Sequence, residues 1–89
     1  MATVDSSLAD RVRSITSRDD LVAFIHNLVF DLKTRPDAWG NSQLDSYLEA
    51  LAAWTEDMDG YFQNRGEPTP SEPSWRLLGE ILMAATMYE

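Results

Sequence analysis

The chain has no cysteine and a single histidine, His26. Without thiols there is no disulfide scaffold, no thiolate zinc site and no cysteine nucleophile. The one imidazole would need carboxylates alone to complete a transition-metal site, so no metal or other cofactor is expected. Positive charge is also scarce, with seven Lys and Arg against fifteen Asp and Glu and a net charge of −8. A field of that sign repels phosphate, so neither nucleic acid nor an anionic membrane is an expected partner. No stretch approaches the roughly 18 consecutive apolar residues that a membrane-spanning helix requires. The segment MATVDSSLADRVRS lacks a basic leader followed by an apolar run, so the expected location is cytoplasmic. Strand-like alternation, internal repeats and low-complexity tracts are missing too.

Apolar residues make up 44% of the chain, and there are three Trp, three Tyr and three Phe. A chain of 89 residues buries about 60 to 65 per cent of its unfolded surface. One modest core follows, with little room for a deep enzymatic cleft. The charge is unevenly spread: residues 36–67 carry seven acids and one arginine, which is −6 of the total −8. A basic protein is the partner such a surface suits.

Helical periodicity organises the chain. Residues 1–16 are polar and small-rich; Leu8, Val12 and Ile15 recur at helical spacing, and a flexible or weakly helical segment is expected there. A single helical domain is expected over residues 17–89. Ser17, followed by Asp19 and Asp20, reads as a helix start, because a serine oxygen accepts a free backbone N–H and carboxylates suit the positive end of the dipole. The apolar set Leu21, Val22, Phe24, Ile25, Leu28, Val29 and Leu32 covers one face, with Phe30 pointing elsewhere, and Pro36 ends the helix. RPDAWGNS is then a turn, with Ser42 as the expected cap of a second helix.

That second helix carries the strongest pattern. At about 100° per residue, Leu44, Tyr47, Leu48, Leu51, Trp54, Met58, Tyr61 and Phe62 fall in one arc. Asp45, Glu49, Glu56 and Asp59 form a stripe beside it. The helix is read as running through Gly60 to about Asn64, with Gly66 just beyond its end. A glycine inside a helix costs about 1 kcal/mol relative to alanine, which suggests that another backbone approaches closely at Gly60. EPTPSEPS is a stiff connector, and from Ser74 the set Trp75, Leu77, Leu78, Ile81, Leu82, Ala84, Ala85 and Tyr88 forms a third helix, with Met83 and Met87 off its face. The expected fold is all-α, a small bundle of three main helices with a short N-terminal helix as an option.

The chemistry-bearing groups are few. Asp57-Met58-Asp59-Gly60 resembles the end of a calcium loop, but aligning Gly60 with the loop glycine puts Thr55 and Gly66 at the first and twelfth ligand positions, where an aspartate and a bidentate glutamate belong. Glu56 and Asp59 are spaced as neighbours on a wet helix face, which suits solvated carboxylates better than an acid–base pair. Asn64, Arg65, Gly66 and Glu67 form a polar corner near Asp57, where Arg65 complements the helix dipole and has Asp57, Asp59 or Glu67 as partners. Trp54 reads as core, while Trp39 and Trp75 flank loops at the bundle ends. No Ser, His and acid set, no glycine-rich phosphate cradle and no basic stripe occurs.

LEALAAW at residues 48–54, DMDGYFQNRGE at 57–67, and PSW with the helix that follows it to Tyr88-Glu89 together resemble a family of small acidic bacterial proteins known as domains of unknown function. The resemblance covers roughly residues 17–89. It implies no activity and no catalytic role for Asp57, Asp59, Arg65 or Trp75. Thr55 stands where such proteins often keep an apolar residue.

The expected function is a protein-interaction module, not an enzyme, that binds a basic partner through Asp45, Glu49, Glu56 and Asp59. One version is an immunity or antitoxin-like inhibitor that masks a positive toxin surface. A competing expectation is a small-ligand-binding or hydrolytic domain built on DMDG with Asp57, Arg65 and Glu67. A third is a homodimer that buries Phe30 of the first helix, or Met83 and Met87 of the third, across a two-fold axis.

Overall fold

The computed structural model describes residues 6–88. The described residues form four α-helices: α1 Ser6–Arg13, α2 Arg18–Thr34, α3 Leu44–Asn64 and α4 Trp75–Ala85, with a 3-10 turn at Pro36–Ala38 between α2 and α3. The all-α expectation holds, with α1 as a fourth element of the packed bundle.

Local chemistry sets the helix ends. Ser17 Oγ accepts from Asp20 N–H at 3.1 Å, and the Asp20 carboxylate accepts in return from Thr16 N–H and Thr16 Oγ1, both at 3.0 Å. The Thr16 amide bond is the main cause of a lowered Asp20 pKa. Arg35 closes α2, donating its N–H to the Asp31 carbonyl just before Pro36. Ser74 caps α4 by accepting from Leu77 N–H at 3.0 Å.

The long helix α3 passes Gly60 without a break. Its 21 residues span about 31 Å at 1.5 Å per residue, close to the 34 Å long axis of the molecule. Beyond Arg65 the chain turns in a Schellman arrangement: Glu67 N–H donates to the Phe62 carbonyl at 2.9 Å and Gly66 N–H to the Gln63 carbonyl at 3.0 Å. Gly66 takes a φ of 69° there, which is where glycine has an advantage over other residues.

The start of α3 differs from expectation. Gln43, not Ser42, is the N-cap, and it makes no side-chain cap bond; Asp45 Oδ1 accepts from the adjacent Ser46 N–H instead. The reason proposed for Gly60 is also overturned, since a Cβ there would meet nothing within 4 Å. The close approach occurs at Gly79. A Cβ on Gly79 would lie 2.5 Å from Ile15 Cδ1 and 3.1 Å from Val12 Cγ2, so the glycine lets α1 settle against α4.

That contact explains the amino-terminal segment. Of residues 1–16, the first five lie outside the described residues, but Leu8, Val12 and Ile15 are buried and join Leu21, Phe24 and Leu28 in one core cluster. From Ser6 the segment expected to be flexible or weakly helical carries the short helix α1, which packs into the core because three apolar side chains on one face find a matching surface. On the other side of α4, Trp54, Phe62 and Leu77 form a second cluster with Met58, Tyr61 and Ile81 around it. Both clusters draw on α4: Leu82 and Met83 pack on the first, Leu77 and Ile81 on the second. Met83, expected off the core face, thus contributes to it.

α4 packs against α1, α2 and α3, whereas no Cα of α2 comes within 8 Å of one in α3. The two longest helices stand apart, bridged by α4.

Gly60 inside α3 and Gly66 just beyond it should respond oppositely to alanine. Gly60→Ala should raise unfolding stability by about 1 kcal/mol, and Gly66→Ala should lower it by about 1 kcal/mol through left-handed strain. Urea denaturation of both variants measures this, and a destabilised Gly60→Ala would mean a neighbour occupies that face.

Candidate functional site

The space between α2 and α3 is a groove. Ile25, Leu28, Val29 and Leu32 of α2 form one wall, Leu44 and Tyr47 of α3 the other, and Leu82 of α4 lies between them in a cavity of about 350 Å³. Trp39 closes one end, with Asn41, Ser42 and Gln43 along the lip. The groove exists because α2 turns only part of its apolar face toward the core. Leu21, Phe24 and Leu28 are buried there, but Val22, Ile25 and Val29 are exposed, against expectation. The next turn of the buried row is Asp31 instead of an aliphatic residue.

Asp31 is compensated. Its Oδ2 accepts from Trp39 Nε1 at 2.8 Å and its Oδ1 from Arg35 Nε at 3.1 Å. A buried carboxylate without such donors is strongly disfavoured. The indole N–H bond to Asp31 holds Trp39 by its polar edge. Tyr47 is held likewise, its hydroxyl donating to the Leu82 carbonyl at 2.8 Å, and the two rings stack with centroids 6.0 Å apart. Both aromatic rings keep their polar atoms turned inward and contribute their carbon faces to the groove.

Asn41 anchors the same end. Its N–H donates to the Thr86 carbonyl at 2.9 Å, and its Nδ2 reaches the carbonyls of Ala85 and Tyr88 at 3.1 and 2.7 Å. Those carbonyls lie at the C-terminus of α4, where no intrahelical donor remains for them. The loop that leads into α3 is thus tied to α4 by one asparagine.

Asp45, Glu49, Glu56 and Asp59 are all exposed on α3. Leu44 and Leu48, placed with the core by their spacing, are 73% and 52% exposed, because the first two turns of α3 run past the groove mouth. An apolar strip and an acidic stripe therefore lie side by side on one helix. Among the described residues the ion pairs are Arg35–Asp31, Arg65–Glu67 and Arg76–Glu80, none of which involves the stripe.

The polar corner divides. Arg65 Nε lies 3.7 Å from Glu67 Oε1 and its guanidinium sits 5.4 Å over the Tyr61 ring, while Asp57 accepts from the Tyr88 hydroxyl at 2.5 Å. The structure brings Arg65 and Glu67 together but engages Asp57 elsewhere. Tyr61 also donates to the buried Glu80 at 3.3 Å, whose pKa is raised by burial against the opposing pull of Arg76. No cluster of three or more metal-ligating side chains occurs among the described residues. His26 is exposed. Trp54 is core, as expected, and Trp75 is 43% exposed, while Phe30 is the most open aromatic at 70%.

Burial raises the Tyr47 phenol to about 12. A phenol raised in the folded state stabilises fully below its unfolded value near 10, and that contribution fades as pH climbs toward 12. Absorbance titration should therefore show a tyrosine ionising about two units late, and Tyr47→Phe should remove that phase. A normal titration in the wild type would contradict the burial of the Tyr47 phenol.

No curated protein and no solved structure matches the chain. The model of a family of unknown function, DUF7660, matches residues 17–89, which takes in α2, α3, α4 and the groove between them. The chain belongs to this DUF7660 family.

Proposed function

We propose that the protein is a small interaction module that binds a basic protein through the outer face of α3. The supporting observation is the exposed stripe of Asp45, Glu49, Glu56 and Asp59, which takes no part in the ion pairs of the described residues. Like charges three and four residues apart on a helix repel one another. A cationic surface would relieve that repulsion and be steered toward it. Inhibition of a basic toxin-like partner is one form such binding takes, and a gene for a basic toxin domain beside this one would support that form. Persistently isolated loci would count against it.

The alternative use of DMDG with Arg65 and Glu67 has less support, because Asp57 is engaged by Tyr88 and Arg65 by Glu67 and the Tyr61 ring.

Charge reversal tests the acidic face. A Glu49→Lys, Glu56→Lys double variant should melt near the wild-type temperature yet lose a basic protein that wild type captures from the native host in a salt-sensitive way. Equal capture by the double variant would reject α3's acids as the binding surface.

A further inference from the structure

The groove and the acidic stripe adjoin. Leu44 and Leu48 lie one residue, about 100° of helix, from Asp45 and Glu49, so a ligand that covers the leucines also meets the carboxylates. We infer that the groove between α2 and α3 seats an amphipathic α-helix of a basic partner protein, apolar side down, with its cationic side against the stripe of α3. This rests on the reading of that stripe as a partner surface and adds the mode of binding.

Three observations favour a helix over other occupants. The α2 wall from Ile25 to Leu32 rises through seven residue steps, or about 10 Å and two helical turns, which suits apolar anchors at i, i+4 and i+7. The exposed apolar strip continues beyond the cavity to Leu48, which lies outside its lining, so a small apolar ligand confined there would leave that leucine in water. A second copy would carry another −8 chain toward the same acids. Charge complementarity therefore selects a partner that is basic as well as apolar. The inward bonds of Trp39 to Asp31 and of Tyr47 to Leu82 hold the aromatic wall in place before binding, which lowers the ordering cost.

Three synthetic peptides of about 18 residues, long enough for about five helical turns, test this against the full isotope-labelled chain by NMR. One is an amphipathic Leu/Lys helix, one replaces its leucines with glutamine, and one replaces its lysines with glutamate. The Leu/Lys peptide should shift the amides of Val29, Leu44 and Leu48 and the Trp39 indole. Val29→Gln and Leu44→Gln, both at exposed sites, should each weaken it about tenfold with thermal unfolding unchanged. If the Leu/Lys and glutamine peptides both perturb only the stripe and the two variants bind normally, the groove assignment fails while the acidic-face reading stands. If neither lysine peptide binds, both fail. Equal binding of the glutamate peptide, or dimerisation through the groove without any peptide, would overturn the basic helix as its occupant.

Discussion

The structure depends on burying α4, an eleven-residue helix with apolar side chains on more than one side. One neighbour cannot cover such a helix, so α1, α2 and α3 each take a sector of its surface. Gly79 is what admits α1, the shortest α-helix, since a side chain there would collide with Ile15. The rest follows from this arrangement: two core clusters on different sides of α4, and two long helices kept apart by the element they share.

Keeping α2 and α3 apart leaves apolar surface in the open. Small soluble proteins expose single hydrophobic residues freely, but a contiguous patch flanked by charge is a recognised mark of an interaction surface. Here the patch is bounded by aromatic rings whose polar atoms are bonded inward, by Asn41, which fastens the loop to α4, and by the carboxylates of α3. The rigid part and the charged part of the surface are held differently: Trp39 and Tyr47 are bonded to Asp31 of α2 and Leu82 of α4, whereas the stripe acids make no bond to another element among the described residues. Charge on the stripe can therefore change without disturbing the packing beneath it.

Much of the fold was legible in the order of residues. Ser17 and Ser74 announce helix starts by chemistry that acts over three residues, Gly66 ends α3 through a conformation that favours glycine, and the periodicity of α3 carries it across Gly60. What escaped was decided at longer range. The burial of Leu8, Val12 and Ile15 depends on Gly79, more than sixty residues later, and no local signal links them. The groove stayed hidden because Ile25, Val29, Leu44 and Leu48 have the spacing of core residues and lack only a facing helix. Asp31 carried a readable clue: it follows Leu21, Phe24 and Leu28 in phase, and a carboxylate in that row needs a donor such as Trp39 nearby. The acidic stripe was evident from the start, since solvated carboxylates need no long-range partner to place them.

The central claim is that α4 holds α2 and α3 as separate, fixed walls of a formed groove. A chain without cysteine accepts two spin labels cleanly, one at exposed His26 on α2 and one at exposed Glu56 on α3. Pulsed electron resonance between them should give one narrow distance distribution matching this structure. A broad or two-peaked distribution, or one shortened by α2 closing onto α3, would contradict the account.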